Sequence, residues 1–194
     1  MLVETKRIAL RTWRNTDRAA FAAMGRNPNV MKFLGPLLSR EQSDAAVNAQ
    51  IALIEKREPA FWAIERLNDQ RFMGFVGVKE INFDAHFTPG YEIGWRLGEE
   101  YWGEGYATEG AKAALRYSFS NWPMERIYSF TVPANIRSQA VMRKIGMSRV
   151  GNGDFEHPNL SLENPLRRHV LYHIDKKNVF SQSLGVKQRQ VTEM

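Results

Sequence analysis

The sequence predicts one domain of the α+β (mixed α/β) class, with a central, mixed but mostly antiparallel six- to seven-stranded sheet flanked by about four helices. The length of 194 residues fits a single domain with its own core. Strand-like and helical runs follow the order β-α-α-β-β-β-α-β-α-β-β, and the three central strand-like runs favour an antiparallel meander. We expect this domain to span residues 1–178, with residues 179–194 as a peripheral polar tail.

One strand and two helices are predicted at the start of the chain. Residues 5–13 alternate in polarity as a strand does. A short helix over 15–25 is expected to end where Gly25 and an Asn-Pro pair follow. Ser39 and Gln42 match a capping box, in which each side chain accepts a hydrogen bond from the other residue's backbone N–H. They predict a second helix that ends near residue 58.

The rest of the chain is predicted to begin with three successive strands, after which helices and strands alternate. A glycine- and alanine-rich helix is predicted after the meander, and the next strand ends at Pro133, which lacks the N–H that a ladder needs. The predicted elements are, in order, strands at 60–67, 72–81 and 91–97, a helix at 106–121, a strand at 126–132, a helix at 135–146, a short strand at 147–150, a loop at 151–168 and a strand at 169–174.

Composition narrows the classes of partner and of location. The net charge of +6 and the pI near 9.7 favour nucleic acid or phosphorylated small molecules, and the dispersal of the charges leaves that choice open. No apolar run approaches the roughly 18 to 20 residues of a membrane span, and the N-terminus lacks the apolar stretch of a signal peptide. We therefore expect a cytoplasmic protein with no membrane partner.

The absence of cysteine excludes several chemistries. With no cysteine, the chain has no disulfide, no thiol nucleophile and no thiolate ligand for a metal. The histidines do not fall at a zinc-binding spacing with other ligands. No metal is expected.

The loop YWGEGYATEG, residues 101–110, has the chemistry of a phosphate site. Gly103 and Gly105 permit backbone conformations in which successive N–H groups turn toward an anion. The helix that follows adds the partial positive charge of its N-terminus. One face of this helix is nearly bare of side chains, so a large group can approach its backbone; this face carries Ala107, Gly110, Ala111 and Ala114.

Two common phosphate motifs do not match this loop. A Walker A loop needs Gly-Lys-Ser/Thr, but here Ala111 follows Gly110. A dinucleotide fingerprint needs glycine at position 108, where the chain has Thr108. The alternative is that this loop binds no phosphate and that its glycines only allow the start of the helix to pack tightly.

The segment Trp102-Gly-Glu-Gly-Tyr-Ala107, after the strand YEIGWRL, resembles the acetyl-CoA pyrophosphate loop of the GNAT N-acetyltransferases, Q/R-x-x-G-x-G/A. Trp102 stands where that motif has Gln or Arg. The segments SFTVPANIRSQAVMRKIGM, DFEHP and LRRHVLYHI extend the resemblance over about residues 5–175, toward the branch related to ribosomal-protein N-terminal acetyltransferases. The resemblance implies the GNAT fold.

The resemblance also implies acetyl-CoA as co-substrate and a set of residues that bind it. The pantetheine arm would lie where strand 91–97 separates from strand 126–132, and the loop would hold the pyrophosphate. The implied cofactor-binding residues are Trp95, Arg96, Leu97, Trp102, Gly103, Glu104, Gly105, Tyr106, Ala107, Thr108, Asn135, Arg137, Ser138 and Lys144.

Two residues are candidates for catalysis. Glu92 is the candidate general base, since an amine attacks a thioester only when unprotonated, and an ion pair with Arg96 is the alternative. The resemblance assigns Ser138 to the departing CoA sulfur. A thiol leaving group needs little acid help, so we expect Ser138 to assist the reaction without being essential. His86 and His157 lie in loops near the expected acceptor side and are candidate substrate contacts.

The predicted function is direct transfer of an acetyl group to a primary amine, of a protein N-terminus or a small molecule, in a ternary complex. The absence of a thiol that could carry an acyl group favours the direct route. Two alternatives stay open: a CoA-binding GNAT-fold module without catalysis, and an RNA- or ribosome-associated protein. Ribosome association and a homodimer are further expectations, and the acceptor amine is not specified.

Overall fold

The computed structural model describes residues 2–181, which form nine strands, six helices and one 3₁₀ turn at Glu99–Tyr101. In chain order the elements are β1 (Val3–Glu4), β2 (Ile8–Arg11), α1 (Asp17–Gly25), α2 (Pro28–Met31), α3 (Arg40–Glu55), β3 (Phe61–Arg66), β4 (Phe72–Glu80), β5 (Tyr91–Leu97), α4 (Tyr106–Asn121), β6 (Arg126–Thr131), α5 (Ile136–Lys144), β7 (Ser148–Arg149), β8 (Phe155–Glu156), β9 (Arg168–Asp175) and α6 (Lys176–Ser181).

The strands form a mixed sheet in the order β1-β2-β3-β4-β5-β6-β9-β7, with β8 also paired to β9. Neighbouring strands are antiparallel except β5 and β6, which are parallel. The predicted fold class is therefore confirmed. The predicted counts of strands and helices are too low because β1 and β8 have two residues each, α2 has four and α6 has six, too few to produce a periodic signal.

Helices cover both faces of the sheet. α4 packs on one face against a core that includes Ile8, Ile64 and Val76. The bare side of α4 faces this core: a Cβ added at Gly110 would lie 3.2 Å from Val76 and 3.3 Å from Ile8. The large group that approaches the buried part of this helix face is therefore the sheet itself.

The opposite face is covered by α1 and α3. Their side chains pack with the aromatic residues of β3 and β4 in a second core cluster that includes Trp13, Phe21 and Val47. The predicted capping box is present at the start of α3, where Ser39 and Gln42 exchange side-chain to backbone hydrogen bonds. α1 lies over the face of β5 that carries Glu92 and Arg96, as the contact of Arg96 with Phe21 shows, and Phe75 of the neighbouring strand β4 lies on the same face.

The C-terminal end of the described chain differs from the predicted domain boundary. α6 crosses residue 178, and Val179 is buried in the main core. The rest of the predicted tail, residues 182–194, lies outside the described residues. Within residues 2–181 no helix is both long enough and apolar enough to span a membrane.

Candidate active site

β5 and β6 begin side by side and then separate. Two registered pairs join them, Tyr91 with Ile127 and Glu92 with Tyr128. One position further, the Ser129 hydroxyl donates a hydrogen bond to the Ile93 carbonyl at 3.0 Å. Beyond this bond β5 continues to Leu97 while paired with β4 on its other edge. The edge of β5 that faces β6 is left open from Gly94 onward.

A cavity of about 680 Å³ lies along this opening. It reaches from β5 to the start of α4, and α5 and the segment around α2 form its other walls. All of the predicted cofactor-binding residues line it except Glu104: Trp95, Arg96, Leu97, Trp102, Gly103, Gly105, Tyr106, Ala107, Thr108, Asn135, Arg137, Ser138 and Lys144. Glu104 is exposed, and its backbone carbonyl accepts a hydrogen bond from Arg7 at 3.0 Å.

The start of α4 is open at one end of this cavity. Gly103 and Gly105 have φ angles of 84° and 83°, a left-handed conformation that favours glycine. Gly105 is the N-cap, and because it has no side chain it gives the first N–H groups of α4 no side-chain partner. The dipole of this 16-residue helix adds positive potential at the same point. The chemistry suits an anion such as a pyrophosphate.

Trp102 fixes the turn that precedes α4. Its indole Nε1 donates to the Leu97 carbonyl at 3.0 Å, which ties the loop to the end of β5. The guanidinium of Arg137, on α5, lies 4.7 Å from the centre of the Trp102 ring. The tryptophan at the Gln or Arg position of the motif therefore holds a cation at the edge of the cavity.

Arg7 braces the same loop, although sequence reasoning assigned it no role in the site. Its Nε is 2.7 Å from a carboxylate oxygen of Glu109 in the first turn of α4. Its guanidinium also lies 4.4 Å from the centre of the Tyr106 ring, and it bonds the Glu104 carbonyl. Arg7 and Glu109 are 102 positions apart, and no local pattern relates two residues at that separation.

A second cavity, of about 380 Å³, lies on the face of β5 that carries Glu92 and Arg96. It meets the first cavity at Phe33, Leu34, Trp95, Arg96, Asn135 and Ser138, which line both. Glu92, Lys79 and His157 line the second cavity and not the first. The two cavities therefore adjoin each other at these shared residues.

Glu92 is the carboxylate of the second cavity. Its side chain is 16% exposed, and a carboxylate oxygen lies 3.2 Å from Nζ of Lys79. Burial raises the pKa of Glu92, and the charge of Lys79 opposes that rise. The ion pair that sequence analysis held as the alternative role of Glu92 forms with Lys79 and not with Arg96. This happens because Lys79 pairs directly across from Glu92 in the β4–β5 ladder.

Arg96 has no such partner. Its guanidinium carbon lies 5.7 Å from the ring centre of Phe21 and 5.4 Å from that of Phe75. Among the described residues, neither Nε nor Nη1 has a hydrogen-bond partner, and both atoms are buried. Burial lowers the pKa of Arg96 to about 10.

Asn135 and Ser138 bring the start of α5 to the junction. Asn135 caps the helix, because its Oδ1 accepts a hydrogen bond from the Ser138 backbone N–H at 3.3 Å. Its Nδ2 donates to Thr131 at the end of β6, at 3.0 Å. The cap and the cavity wall are therefore the same residue, and the serine side chain lies where the two cavities meet.

The two histidines proposed as substrate contacts lie in different places. His157 lines the second cavity, and its ring centre is 4.5 Å from that of Phe83 and 5.3 Å from that of His169. Burial lowers the pKa of His157, with a smaller effect from His169. His86 is exposed, packs on Phe87 and lines neither cavity, so it is not brought to the site. Within residues 2–181 no three metal-ligating side chains gather at one point.

A sheet opened between two parallel strands, with a glycine-flanked helix start at the mouth of the opening, defines an acyltransferase of the GNAT class. The sequence profile of the family described as "Acetyltransferase (GNAT) domain" matches residues 7–148, and the chain belongs to this family. An uncharacterized N-acetyltransferase of Bacillus subtilis strain 168, YnaD, is 33% identical over 153 residues, which are 78% of this chain and 85% of that relative.

Solved structures share the fold. Spermidine N-acetyltransferase from Vibrio cholerae, in complex with CoA and spermine, superposes with a TM-score of 0.71 at 18% identity, covering 91% of this chain and 99% of its own. RimL, the ribosomal L7/L12 alpha-N-protein acetyltransferase, in complex with coenzyme A, gives 0.73 at 16% identity, covering 90% and 97%. The predicted family and the acyltransferase class are confirmed.

Proposed function

We propose that this chain is an N-acetyltransferase that passes the acetyl group of acetyl-CoA directly to a primary amine while both substrates are bound. The observation that carries the proposal is the junction of the two cavities at Trp95, Arg96, Asn135 and Ser138. One cavity extends from the open edge of β5 to the uncapped start of α4, which suits the arm and the pyrophosphate of a CoA thioester. The other supplies a carboxylate for the amine. The family to which the chain belongs supports this assignment.

Several features of the first cavity suit acetyl-CoA. The open N–H groups at Gly105 and the dipole of α4 suit the pyrophosphate, and Arg137 and Lys144 add cations for the remaining phosphate. The free edge of β5 from Gly94 to Leu97 offers backbone groups to the amides of the pantetheine arm, as an unpaired strand edge does for an extended peptide. The volume of about 680 Å³ is in the range of cofactor sites.

Two side chains carry the proposed chemistry. Glu92 accepts the proton that the amine loses when its nitrogen bonds to the acyl carbon. The hydroxyl of Ser138 donates a hydrogen bond to the sulfur as the carbon–sulfur bond breaks, and the thiolate then takes a proton from solvent. The chain has no cysteine that could hold the acyl group in between, which favours direct transfer.

The acceptor is a primary amine of a small molecule or of a protein N-terminus. Each of the two solved structures represents one of these kinds of acceptor, since one is a spermidine acetyltransferase and the other is a ribosomal-protein acetyltransferase. Cytoplasmic location, ribosome association and a homodimer stay predictions.

The test is calorimetric titration with acetyl-CoA, with ATP and NADPH as comparison ligands. We expect micromolar binding of acetyl-CoA that Gly105→Trp removes, because the substitution places a large side chain at a left-handed position in the loop. Gly151→Trp is the matched control, since a Cβ at this exposed position meets nothing within 4 Å and it lines neither cavity. Absence of acetyl-CoA binding by the folded protein overturns the proposal. Binding without transfer to any amine indicates a CoA-binding module without catalysis.

A further inference from the structure

The second cavity carries an unbalanced positive charge. Among the described residues, its charged side chains are Lys79, Glu92 and Arg96. Nζ of Lys79 lies 3.2 Å from a carboxylate oxygen of Glu92, so these two charges balance each other. The charge of Arg96 is not balanced by this pair. Burial lowers the pKa values of the two histidines in the wall, His157 and His169, which favours the neutral form of both rings. The net charge of the space is therefore positive.

Within residues 2–181, no carboxylate forms an ion pair with Arg96. Phe21 and Phe75 lie against its guanidinium, and aromatic faces satisfy none of its N–H donors in the way a carboxylate does. Nε and Nη1 are buried without a hydrogen-bond partner among residues 2–181. A buried, unpaired cation destabilises the folded state, and the loss of stability is offset when an anionic ligand pairs with it.

The position of Arg96 places such an anion beside the reaction centre. Arg96 is one of the residues that line both cavities, together with Ser138 and Asn135. A carboxylate that pairs with its guanidinium lies at the junction. An amine a few bonds away from that carboxylate then reaches the acyl carbon without leaving the cavity.

Much of the remaining wall is apolar and aromatic, and Ser129, Thr131, Asn135 and Ser138 add hydroxyl and amide groups to it. Side chains that enclose this part of the space include Phe33, Leu34, Phe61, Phe75, Phe130 and Leu166. Phe61 and Phe75 stack with ring centres 5.0 Å apart. The volume of about 380 Å³ suits a small molecule.

We infer that the acceptor is a small amine that also carries a carboxylate on an apolar body, an apolar amino acid or a close analogue, with the carboxylate paired to Arg96. The inference rests on the proposed function and narrows its acceptor. A polyamine is disfavoured because its extra cations would lie near Arg96 and Lys79, with one carboxylate between them. A carboxylate forms a charge-assisted hydrogen bond with a guanidinium, which a neutral group does not replace.

The experiment measures acetyl transfer to matched acceptors by release of free CoA thiol, an assay to which this cysteine-free chain adds no background. The acceptors are L-phenylalanine with L-phenylalaninamide, L-leucine with L-leucinamide, and spermidine. Each pair differs by the charge of the carboxyl group. The amides have the less basic amines, so a preference for the free acids reflects the carboxylate and not the fraction of neutral amine.

We expect kcat/KM for the acid to exceed that for the amide by about tenfold to a hundredfold in at least one pair, as for a hydrogen bond to a charged group. Arg96→Met removes the preference, and Arg96→Lys restores part of it. Arg149→Met, an exposed arginine paired with Asp154 outside both cavities, keeps it. Arg96→Met also raises Tm, because it replaces an unpaired buried cation with an apolar side chain.

A second measurement does not depend on turnover. N-acetyl-L-phenylalanine and its amide are titrated calorimetrically into the protein saturated with CoA, and we expect the acid to bind more tightly through Arg96. Equal binding of the two products, or equal transfer to acid and amide, overturns the carboxylate inference while leaving acetyl transfer intact. A preference for spermidine overturns it as well. Failure of acetyl-CoA to bind overturns the proposed function instead.

Discussion

The Ser129 hydroxyl donates a hydrogen bond to the Ile93 carbonyl at 3.0 Å, at the point where β5 and β6 stop pairing. Ile93 is 1% exposed, so its carbonyl has little access to water as an alternative donor. Backbone pairing holds the strands together before this point, and the first cavity opens after it. This hydrogen bond is therefore the last link between the two strands before the sheet opens.

Ser129→Ala should destabilise the protein by about 1–3 kcal/mol, because it leaves a buried carbonyl without a donor. The measurement is the free energy of unfolding from urea titration. Ser118→Ala is the matched control: Ser118 is fully buried in α4, and its hydroxyl has no partner in the described part of the chain, so its loss should be close to neutral. Equal effects of the two substitutions would show that the hydrogen bond to Ile93 does not stabilise the opening.

Arg7→Met should weaken acetyl-CoA binding by about threefold to tenfold, because the loop loses its brace to Glu109 and to the Glu104 carbonyl before the ligand arrives. Arg7 does not line the first cavity, so the effect comes through the loop and kcat should change little. Calorimetric titration gives Kd, and steady-state kinetics gives kcat. Arg126→Met is the control, since Arg126 forms an ion pair of the same kind with Asp175 away from both cavities. An unchanged Kd would contradict the role of Arg7.

The sequence was sufficient to predict the helices and strands that are long enough to show a periodic pattern or that carry a local motif. The helix at 106–121, the strand at 91–97 and the capping box at Ser39 all coincide with the structure. The loop before α4 was recognisable because glycines stand at two alternate positions just before a helix. In the structure both of these glycines have left-handed φ angles. These features depend on residues close together in the chain.

Long-range partners were not visible in the sequence. Arg7 contacts Glu109 across 102 positions, and the partner of Glu92 is Lys79 because the β4–β5 register places them side by side. His86 shows the opposite error: it lies in a loop near the acceptor side, yet its side chain is exposed beside Phe87 and lines neither cavity. Strand register and loop conformation decide such contacts, and both depend on how distant segments of the chain pack together.

Arg11→Met should destabilise the protein by about 3–5 kcal/mol, because Arg11 joins two buried carboxylates. Its guanidinium bonds Asp17 at the start of α1 and Glu65 on β3, each at 2.7 Å, and the two carboxylate side chains are 2% and 8% exposed. Urea unfolding measures the change. Arg126→Met, in an exposed pair, should have a much smaller effect. Comparable losses for both variants would show that the buried cluster does not anchor α1.

Glu92→Gln should lower kcat by about a hundredfold to ten thousandfold if Glu92 is the general base. Because burial raises the pKa of Glu92, and a base acts only when deprotonated, kcat/KM of the wild type should rise as pH increases through that raised pKa. Glu92→Gln should lose this limb of the profile. Lys79→Met provides the matched comparison: without the opposing cation the pKa of Glu92 rises further, so the limb should move to higher pH and persist. A pH profile that is the same in the wild type and Glu92→Gln would assign the base to another group.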